Sequence, residues 1–324
     1  MEARLHFVFK DVDMDRLVTV FGCGGFLGRY VAQQLFRTGE RIRVAQLDPR
    51  RAFFLKPLSA VGQIQFAAVD VRDRDQVAAV VRDSEAVINL VGVLKGDLTG
   101  CHVEGPRNIA EAARAAGVSA LVHVSAIGAD PDSASAYGRS KGEGEQAVRA
   151  AFPGATIIRP SILFGPEDNF INRFAGLARL APVLPVLRGE VKFQPLYVGD
   201  AAKAVAKAAL DPDTYGGKTY ELGGPEVLSM RELFAWICEA TGRHRPLIEI
   251  PDPVGQAIVW LTGWAPGAPM TWDQWLMLQQ DNVVGARANG LQAFGLVPTP
   301  LAAVAPEWLT SYRRHGRFAV KPAS

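Results

Sequence analysis

The chain has few cysteines and no long apolar run, and each shortage excludes a class of protein. Three cysteines occur among 324 residues, and none of them forms a CxxC pair. This usage predicts a reducing compartment and argues against structural disulfides and zinc sites. Cys101 and His102 are adjacent, but we interpret them as ordinary loop or core residues, and no metal site is predicted. No stretch reaches the roughly 18 apolar residues of a membrane span, and the charged first residues do not resemble a secretory signal.

The chain also lacks a strong excess of either charge. It carries 35 Lys and Arg against 33 Asp and Glu, a formal net charge of +2. A nucleic-acid partner is therefore not predicted, because binding to a polyanion usually needs a basic domain. Internal repeats and low-complexity tracts are absent as well. We expect a protein that is cytoplasmic, or soluble with an attachment to a membrane surface.

A glycine-rich turn near the start is the most informative feature that is present. The apolar run Leu17–Phe21 predicts a strand, and Arg29–Arg37 predicts a helix after it. Between them lie Gly22, Gly25 and Gly28. Glycine lets the backbone approach a pyrophosphate closely, and the N–H groups that open the helix face that anion. The strand before the turn and the helix after it favour a nucleotide site.

Strand-like and helix-like segments alternate through the first two thirds of the chain. The strands are nearly continuous apolar runs, which are typical of a parallel sheet covered by helices on both faces. We predict an α/β fold, a Rossmann-type doubly wound parallel sheet with a smaller, mainly helical C-terminal region. The predicted strands are Leu17–Phe21, Arg41–Leu47, Gln63–Val69, Ala86–Val91, Ala120–Ser125, Ala155–Arg159 and Lys218–Leu222. The predicted helices of this part are Arg29–Arg37, Asp73–Val81, Val103–Ala116, Tyr137–Ala151 and Val198–Leu210.

The pattern changes after Pro160, where proline and glycine become frequent. We divide the chain into an N-terminal extension (1–15), an NAD(P)-binding Rossmann domain (16–225) and a smaller C-terminal region (226–324) for docking to a partner or near a membrane. Within the last region, Ser229 and Glu232 form a capping box that predicts a helix, and Gly242 ends that helix.

The C-terminal region is rich in tryptophan and ends in basic residues. Five of the six tryptophans follow residue 259. The apolar segment Pro253–Trp264 could lie in a membrane interface, pack on a partner, or form a core helix. The basic terminus is either a solvated tail or a contact with anionic lipid or an acidic subunit. Its residues are Arg313, Arg314, Arg317 and Lys321.

A Ser, Tyr and Lys set, following the predicted nucleotide site, points to proton-transfer chemistry. Ser125 ends the fifth predicted strand, and Tyr137 and Lys141 follow on one helix at i and i+4, so they point the same way. A lysine ammonium beside a phenol lowers the pKa of that phenol, so that Tyr137 could exchange a proton with a carbonyl or hydroxyl. Ser125 could hydrogen-bond the same oxygen.

The sequence leaves the choice of nicotinamide cofactor open. Asp48 follows the second strand, where a carboxylate could bind a ribose 2′-OH and favour NADH. Arg50 and Arg51 come next and could instead bind the 2′-phosphate of NADPH. Asp48 could also only cap the turn at Pro49.

These motifs together resemble the extended or atypical branch of the short-chain dehydrogenase/reductase superfamily, over roughly residues 16–225. The resemblance implies that Asp70 and Val71 lie near the adenine. It implies that Tyr137 and Lys141 reach the nicotinamide ribose, either as catalytic groups or only as anchors. Asn89-Leu-Val-Gly92 and Arg159-Pro160-Ser161 belong to the same pattern. The full candidate cofactor set is Gly22, Gly25, Phe26, Leu27, Gly28, Asp48, Arg50, Arg51, Asp70, Val71, Val91, Gly92, Ser125, Tyr137, Lys141 and Pro160.

The C-terminal sequence resembles one branch more closely, the nucleotide-binding accessory subunits of respiratory complex I (NADH:ubiquinone oxidoreductase) and their bacterial relatives. The most specific stretches are Met270-Thr-Trp-Asp-Gln-Trp, Gln280-Asp-Asn-Val-Val284 and Trp308-Leu. The resemblance implies a structural subunit that holds NADPH tightly near the quinone site without turning it over. Its implied partners are the other subunits of complex I, with peripheral membrane contact on the cytoplasmic side of a bacterial inner membrane.

Two departures from that branch matter. Its members tend to carry arginine after the second strand, where this chain has Gln46-Leu-Asp48, and NADH therefore stays an alternative to NADPH. The segment Val93–Thr99 is shorter than in the animal subunit, so contacts of that loop do not carry over.

A free-standing NAD(P)-dependent reductase or epimerase that uses Ser125, Tyr137 and Lys141 is the alternative function. A nucleotide sensor without catalysis is a third.

Overall fold

The structure is a computed structural model that describes residues 16–265, 268, 270–314 and 316. The predicted N-terminal extension and the basic residues Arg317 and Lys321 lie outside the described residues.

Strands and helices alternate along the chain as the sequence predicts, and further short elements follow β6. The strands are β1 (Leu17–Phe21), β2 (Arg41–Gln46), β3 (Ile64–Ala68), β4 (Ala86–Asn89), β5 (Ala120–Val124), β6 (Thr156–Pro160), β7 (Leu163–Phe164), β8 (Leu184–Leu187), β9 (Lys192–Phe193), β10 (Leu196–Tyr197), β11 (Thr219–Leu222), β12 (Leu228–Ser229) and β13 (Leu247–Ile250). The helices are α1 (Phe26–Arg37), α2 (Arg74–Val81), α3 (Gly105–Ala115), α4 (Ala136–Ala151), α5 (Ile171–Leu180), α6 (Val198–Leu210), α7 (Pro212–Tyr215), α8 (Met230–Ala240), α9 (Asp252–Thr262), α10 (Trp272–Met277), α11 (Leu301–Val304) and α12 (Pro306–Leu309). Tighter helical turns cover Pro49–Leu58, Leu291–Phe294 and Thr310–Tyr312.

The main sheet has seven parallel strands in the order β11-β6-β5-β4-β1-β2-β3. The prediction of a doubly wound parallel sheet is confirmed, and the predicted strands are present with ends that shift by one or two residues. Strands β1, β4 and β5 are buried along their whole length. Separate apolar clusters pack on the two faces of the sheet, which explains why these strands are apolar at every position rather than at alternate ones.

Several helix ends follow from local chemistry that the sequence shows. Gly117 and Gly242 end their helices with φ of +70° and +62°, in the left-handed region that glycine adopts without strain. The capping box of Ser229 and Glu232 is present at α8. The predicted helix Val103–Ala116 begins earlier than expected, with a wide helical turn over Gly100–Glu104 before α3. Asp97 starts that turn, because its carboxylate accepts the N–H of Gly100 at 2.8 Å.

The C-terminal residues return to the main sheet. Asn289 pairs with Tyr220 beside β11, and its carbonyl accepts the N–H of Glu221 at 2.9 Å. Phe294 then stacks on Tyr215 with ring centroids 4.6 Å apart and an interplanar angle of 17°. Residues after 284 therefore complete the edge of the core beside β11.

Helix α9 covers most of the apolar segment Pro253–Trp264 and is the most exposed helix face of the C-terminal region. Only Gly255 and Val259 are buried in it. Trp260 is 69% exposed, Leu261 60% and Trp264 81%. The alternative that this segment is a core helix is therefore wrong, because its large apolar side chains other than Val259 are exposed. Across the described residues, every helix is too short or too polar to span a bilayer.

Candidate nucleotide-binding site

The glycine turn after β1 is held by the backbone of its neighbours. Gly22 has φ of +77°, and its N–H donates to the carbonyl of Ala45 at 3.1 Å. A side chain on Gly28 would lie 2.4 Å from the carbonyl oxygen of Cys23. Only glycine therefore lets α1 pack this closely against the turn, which aims the start of the helix at the space beyond the end of β1.

The start of α1 is a cradle for an anion. Gly25 is the N-cap with no side-chain hydrogen bond, and the first turn contains no acidic residue. The first intrahelical bond runs from Arg29 to Gly25, so the N–H groups of Phe26 and Leu27 have no partner within the helix. Together with the positive end of the helix dipole, these donors fit a pyrophosphate. The strand order reverses beside β1, and this is where doubly wound sheets bind nucleotides.

The loop after β2 holds a polar network next to this cradle. Gln46 accepts the N–H of Gly24 at 2.8 Å and donates to the carbonyl of Asp48 at 2.6 Å. The Asp48 carboxylate accepts the backbone N–H of Arg50 at 3.1 Å and pairs with its guanidinium at 2.9 Å. This side-chain hydrogen bond lowers the pKa of Asp48. Asp48 thus caps the turn, one of its possible roles, while Arg50 and Arg51 are exposed beside the site.

The residues expected near the adenine lie at the ends of β3 and β4. Asp70 pairs with Arg72 at 2.6 Å, and this hydrogen bond lowers the pKa of Asp70. Val71 is buried, and a side chain on Gly105 would lie 2.7 Å from it. Two further candidate cofactor residues follow β4. Val91 donates its N–H to the side chain of Asn89 at 3.0 Å, and Gly92 is exposed with open space around it.

Ser125 follows β5 and has a buried hydroxyl without a hydrogen-bond partner among the described residues. Its side chain is 5% exposed. The loop after it is fixed, because Ile127 donates its N–H to the carbonyl of Pro160 at 3.1 Å. A buried hydroxyl is rarely left unpaired, so this atom is positioned to bond a molecule that enters the site.

Tyr137 and Lys141 lie on α4, with Lys141 fully buried beneath the end of β5. The Lys141 ammonium donates to the carbonyl of Val124 at 2.8 Å. Burial lowers the pKa of Lys141 to about 8. Burial also raises the pKa of Tyr137 to about 12. The expectation that Lys141 lowers the pKa of Tyr137 is therefore wrong for the chain alone, because desolvation of the phenol dominates.

Two buried histidines lie close enough to Lys141 to be affected by its charge. His102 accepts the N–H of Val93 on Nε2 at 3.0 Å and contacts the hydroxyl of Ser140 through Nδ1 at 2.9 Å. Burial and the nearby Lys141 charge lower the pKa of His102 to about 4. His123, on β5, contacts Asn89 through Nδ1 at 3.1 Å, and its Nε2 is buried without a partner among the described residues.

His102 is thus a hydrogen-bonding core residue, as expected. Among the residues that the structure describes, no three His, Cys, Asp or Glu side chains converge as metal ligands.

The C-terminal region also reaches the site, through two residues of the stretches 270–275 and 280–284, to which the sequence had given no individual role. Asp273 accepts the N–H of Ala136 at 2.6 Å and that of Tyr137 at 3.2 Å, at the start of α4. Asn282 accepts the hydroxyl of Ser161 at 2.7 Å and the N–H of Ile162 at 2.9 Å, directly after β6. The segment from residue 273 to 282 therefore contacts the chain at both α4 and the end of β6.

Known proteins are similar to this chain over two different extents. A model of the NAD dependent epimerase/dehydratase family matches residues 18–223. Subunit 9 of the mitochondrial NADH dehydrogenase (ubiquinone) 1 alpha subcomplex from Mus musculus is 37% identical over 308 residues, covering 92% of this chain and 81% of the relative. Its counterpart from Arabidopsis thaliana is 33% identical over 319 residues, covering 93% and 79%.

Two other similarities concern reductases. A ceramide reductase from Caulobacter vibrioides is 32% identical over 253 residues, covering 74% of this chain and 75% of the relative. An NADPH-dependent quinone oxidoreductase from Escherichia coli, solved with NADPH, has a TM-score of 0.72 at 21% identity and covers 90% of this chain and 99% of that one. At that identity the second similarity shows the fold alone.

Proposed function

The chain belongs to the NAD-dependent epimerase/dehydratase family, and we propose that it is an NADP(H)-binding accessory subunit of respiratory complex I. In this role the nucleotide stabilises the subunit and is not turned over. The observation that carries the proposal is the extent of the match to the mitochondrial subunits. The family model ends at residue 223, whereas these relatives match 92% and 93% of the chain and so share its C-terminal region.

The nucleotide would be held by the start of α1 and by α4. The free N–H groups of Phe26 and Leu27 would bind the pyrophosphate, and the unpaired hydroxyl of Ser125 with Tyr137 and Lys141 would hold the nicotinamide ribose. A bound reduced nicotinamide supplies a hydride when an acceptor is present. In a structural subunit it acts instead by mass action, contributing about 2.7 kcal/mol to the free energy of unfolding at a concentration 100 times its Kd.

The loop after β2 supports NADPH over NADH. The carboxylate of Asp48 in this loop is engaged by Arg50. Arg51 is exposed and its charge suits a 2′-phosphate. Arg51→Gln should weaken NADPH binding by about 10- to 100-fold, the worth of one charge-assisted hydrogen bond, and leave NADH affinity unchanged. Arg74→Gln is the matched control, because Arg74 pairs with Glu111 at 2.9 Å on the outer helices. Equal losses for both nucleotides in calorimetric titrations would contradict the assignment.

The C-terminal region would form the docking surface of the subunit. Its exposed apolar helix, α9, carries Trp260, Leu261 and, just beyond its end, Trp264. Large exposed apolar patches usually mark a partner or membrane contact. We assign this surface to other complex I subunits at the cytoplasmic side of a bacterial inner membrane, with peripheral contact to the bilayer.

A mild-detergent extraction of the tagged chain from its native membranes tests the proposal. Co-migration of the chain with a large complex that stains for NADH dehydrogenase activity on a native gel is the expected result. Recovery of the chain only as a free protein, with nucleotide bound, would reject the complex I role and keep the nucleotide site.

A free-standing NADPH-dependent reductase is the second candidate, and the arrangement around Ser125 favours it. The buried hydroxyl of Ser125 has no partner among the described residues, so a substrate oxygen could bond there while Tyr137 donates a proton. The relative from Caulobacter vibrioides is a ceramide reductase. Substrate-dependent oxidation of NADPH by the purified chain, abolished by Tyr137→Phe, would favour this function.

A further inference from the structure

The start of α4 is capped by a side chain from a distant part of the sequence. Ser135 supplies the ordinary N-cap, and its hydroxyl accepts the N–H of Gly138 at 3.2 Å. The two preceding N–H groups, of Ala136 and Tyr137, both donate to the carboxylate of Asp273, and the Ser135 hydroxyl donates to it at 3.1 Å. The first turn of the helix that carries Tyr137 is therefore completed only when Asp273 is in place.

Asp273 is in turn connected by contacts to the exposed helix α9. It lies in the first turn of α10, whose capping box is formed by Thr271 and Gln274. Trp275, on the same helix, is 4% exposed. A side chain on Gly255 of α9 would lie 3.2 Å from the Trp275 ring, so the two helices are in close contact. A continuous path of contacts thus runs from Tyr137 through Asp273 and Trp275 to α9.

We propose that Asp273 is a positioning residue that makes nucleotide binding and the docking of α9 and α10 depend on each other; this inference rests on the proposed nucleotide site. Occupation of the site fixes the first turn of α4, and the fixed turn holds Asp273. Coupling between two such sites is reciprocal, so a partner that binds α9 tightens nucleotide binding by the same factor by which the nucleotide tightens partner binding.

Hydrogen exchange on the full chain, with and without NADPH, tests the coupling without any substitution. The expected result is slower exchange at three places on nucleotide addition: the glycine turn 22–28, the start of α4, and residues 252–277. Slower exchange at the glycine turn alone would overturn the coupling and leave the nucleotide site intact. No change anywhere would overturn both the coupling and the nucleotide site.

Asp273→Asn tests the residue itself. Asparagine keeps one acceptor but loses the charge and the second acceptor, so we expect NADPH affinity to fall about fivefold or more and the protection of residues 252–277 to disappear. Asp281→Asn is the matched control, because Asp281 lies in the same segment but accepts the N–H of Lys192 at 2.9 Å, away from α4. If Asp273→Asn keeps the affinity and protection of the Asp281→Asn control, Asp273 is not a positioning residue.

Discussion

Replacing Gly25 with aspartate should separate folding from nucleotide binding, because the two respond in opposite directions. Gly25 is the N-cap of α1 with φ of −80° and ψ of 179°, an extended conformation open to any residue. A side chain there would meet only the carbonyl oxygen of Gly22, at 3.2 Å. Aspartate is a preferred N-cap, so the empty protein should keep its stability or gain about 0.3–1 kcal/mol.

The same carboxylate would occupy the anion cradle. It would take the N–H groups that we assign to the pyrophosphate, and each such charge-assisted hydrogen bond contributes about 1.5–3 kcal/mol. Loss of two of them weakens binding by about 3–6 kcal/mol, or roughly two to four orders of magnitude, before repulsion between the charges is added.

Thermal unfolding with and without NADPH, together with the nucleotide content of the purified protein, measures both effects. The wild type should be stabilised by NADPH and Gly25→Asp should not. Gly25→Asn is the matched control, since it caps the helix without a charge and should lose less affinity. If Gly25→Asp retained stoichiometric nucleotide, the assignment of the pyrophosphate to the start of α1 would be wrong.

Three further predictions concern stability and docking. Gly28→Ala should lower the free energy of unfolding in urea by about 1–3 kcal/mol, because the added Cβ would lie 2.4 Å from the carbonyl oxygen of Cys23. Gly176→Ala is the control and should be neutral or stabilising, because its Cβ would lie 4.0 Å from its nearest neighbour, the ring of Tyr312. The pKa of Lys141 falls from 10.5 to about 8 on folding, so between those values the unfolded chain binds more protons and the wild type gains stability as pH rises. The free energy of unfolding of the wild type should therefore rise relative to that of Lys141→Met from pH 8 to pH 10.5, and a constant difference would contradict the buried ammonium. Trp260→Gln, at a side chain 69% exposed, should change the free energy of unfolding by no more than about 0.5 kcal/mol yet reduce co-migration with complex I; unchanged co-migration would exclude Trp260 from the docking surface.

The sequence predicted the main sheet well because its signals are local. The apolar run of β1, the glycines after it and the capping box at Ser229 each depend on residues within one turn or strand. The glycine turn could be recognised for the same reason, since the three glycines and both flanking elements are contiguous in the chain.

The contacts that bring distant residues to the site could not be predicted in this way. Asp273 belongs to a stretch that carries the family resemblance, but the sequence gives it no contact. Only the fold places its carboxylate at the start of α4. The pKa of Tyr137 could not be predicted either. The sequence shows its spacing from Lys141, but burial in the fold decides the direction of the pKa shift. The apolar pattern of α9 does not show which other elements pack on this helix, so its exposure could not be predicted from the sequence.

The pairing of Asn289 beside β11 and the stacking of Phe294 on Tyr215 have a consequence for the order in which the chain folds on the ribosome. Domains generally fold as they are synthesised, at about 5–20 residues per second. The strand β11 is therefore synthesised roughly 4–14 s before Phe294, at that rate. During this interval Tyr215 and Tyr220 lack the ring of Phe294, and β11 lacks its contact with Asn289. A nascent chain is thus open to chaperones or to mispairing at β11 until its last quarter has been translated.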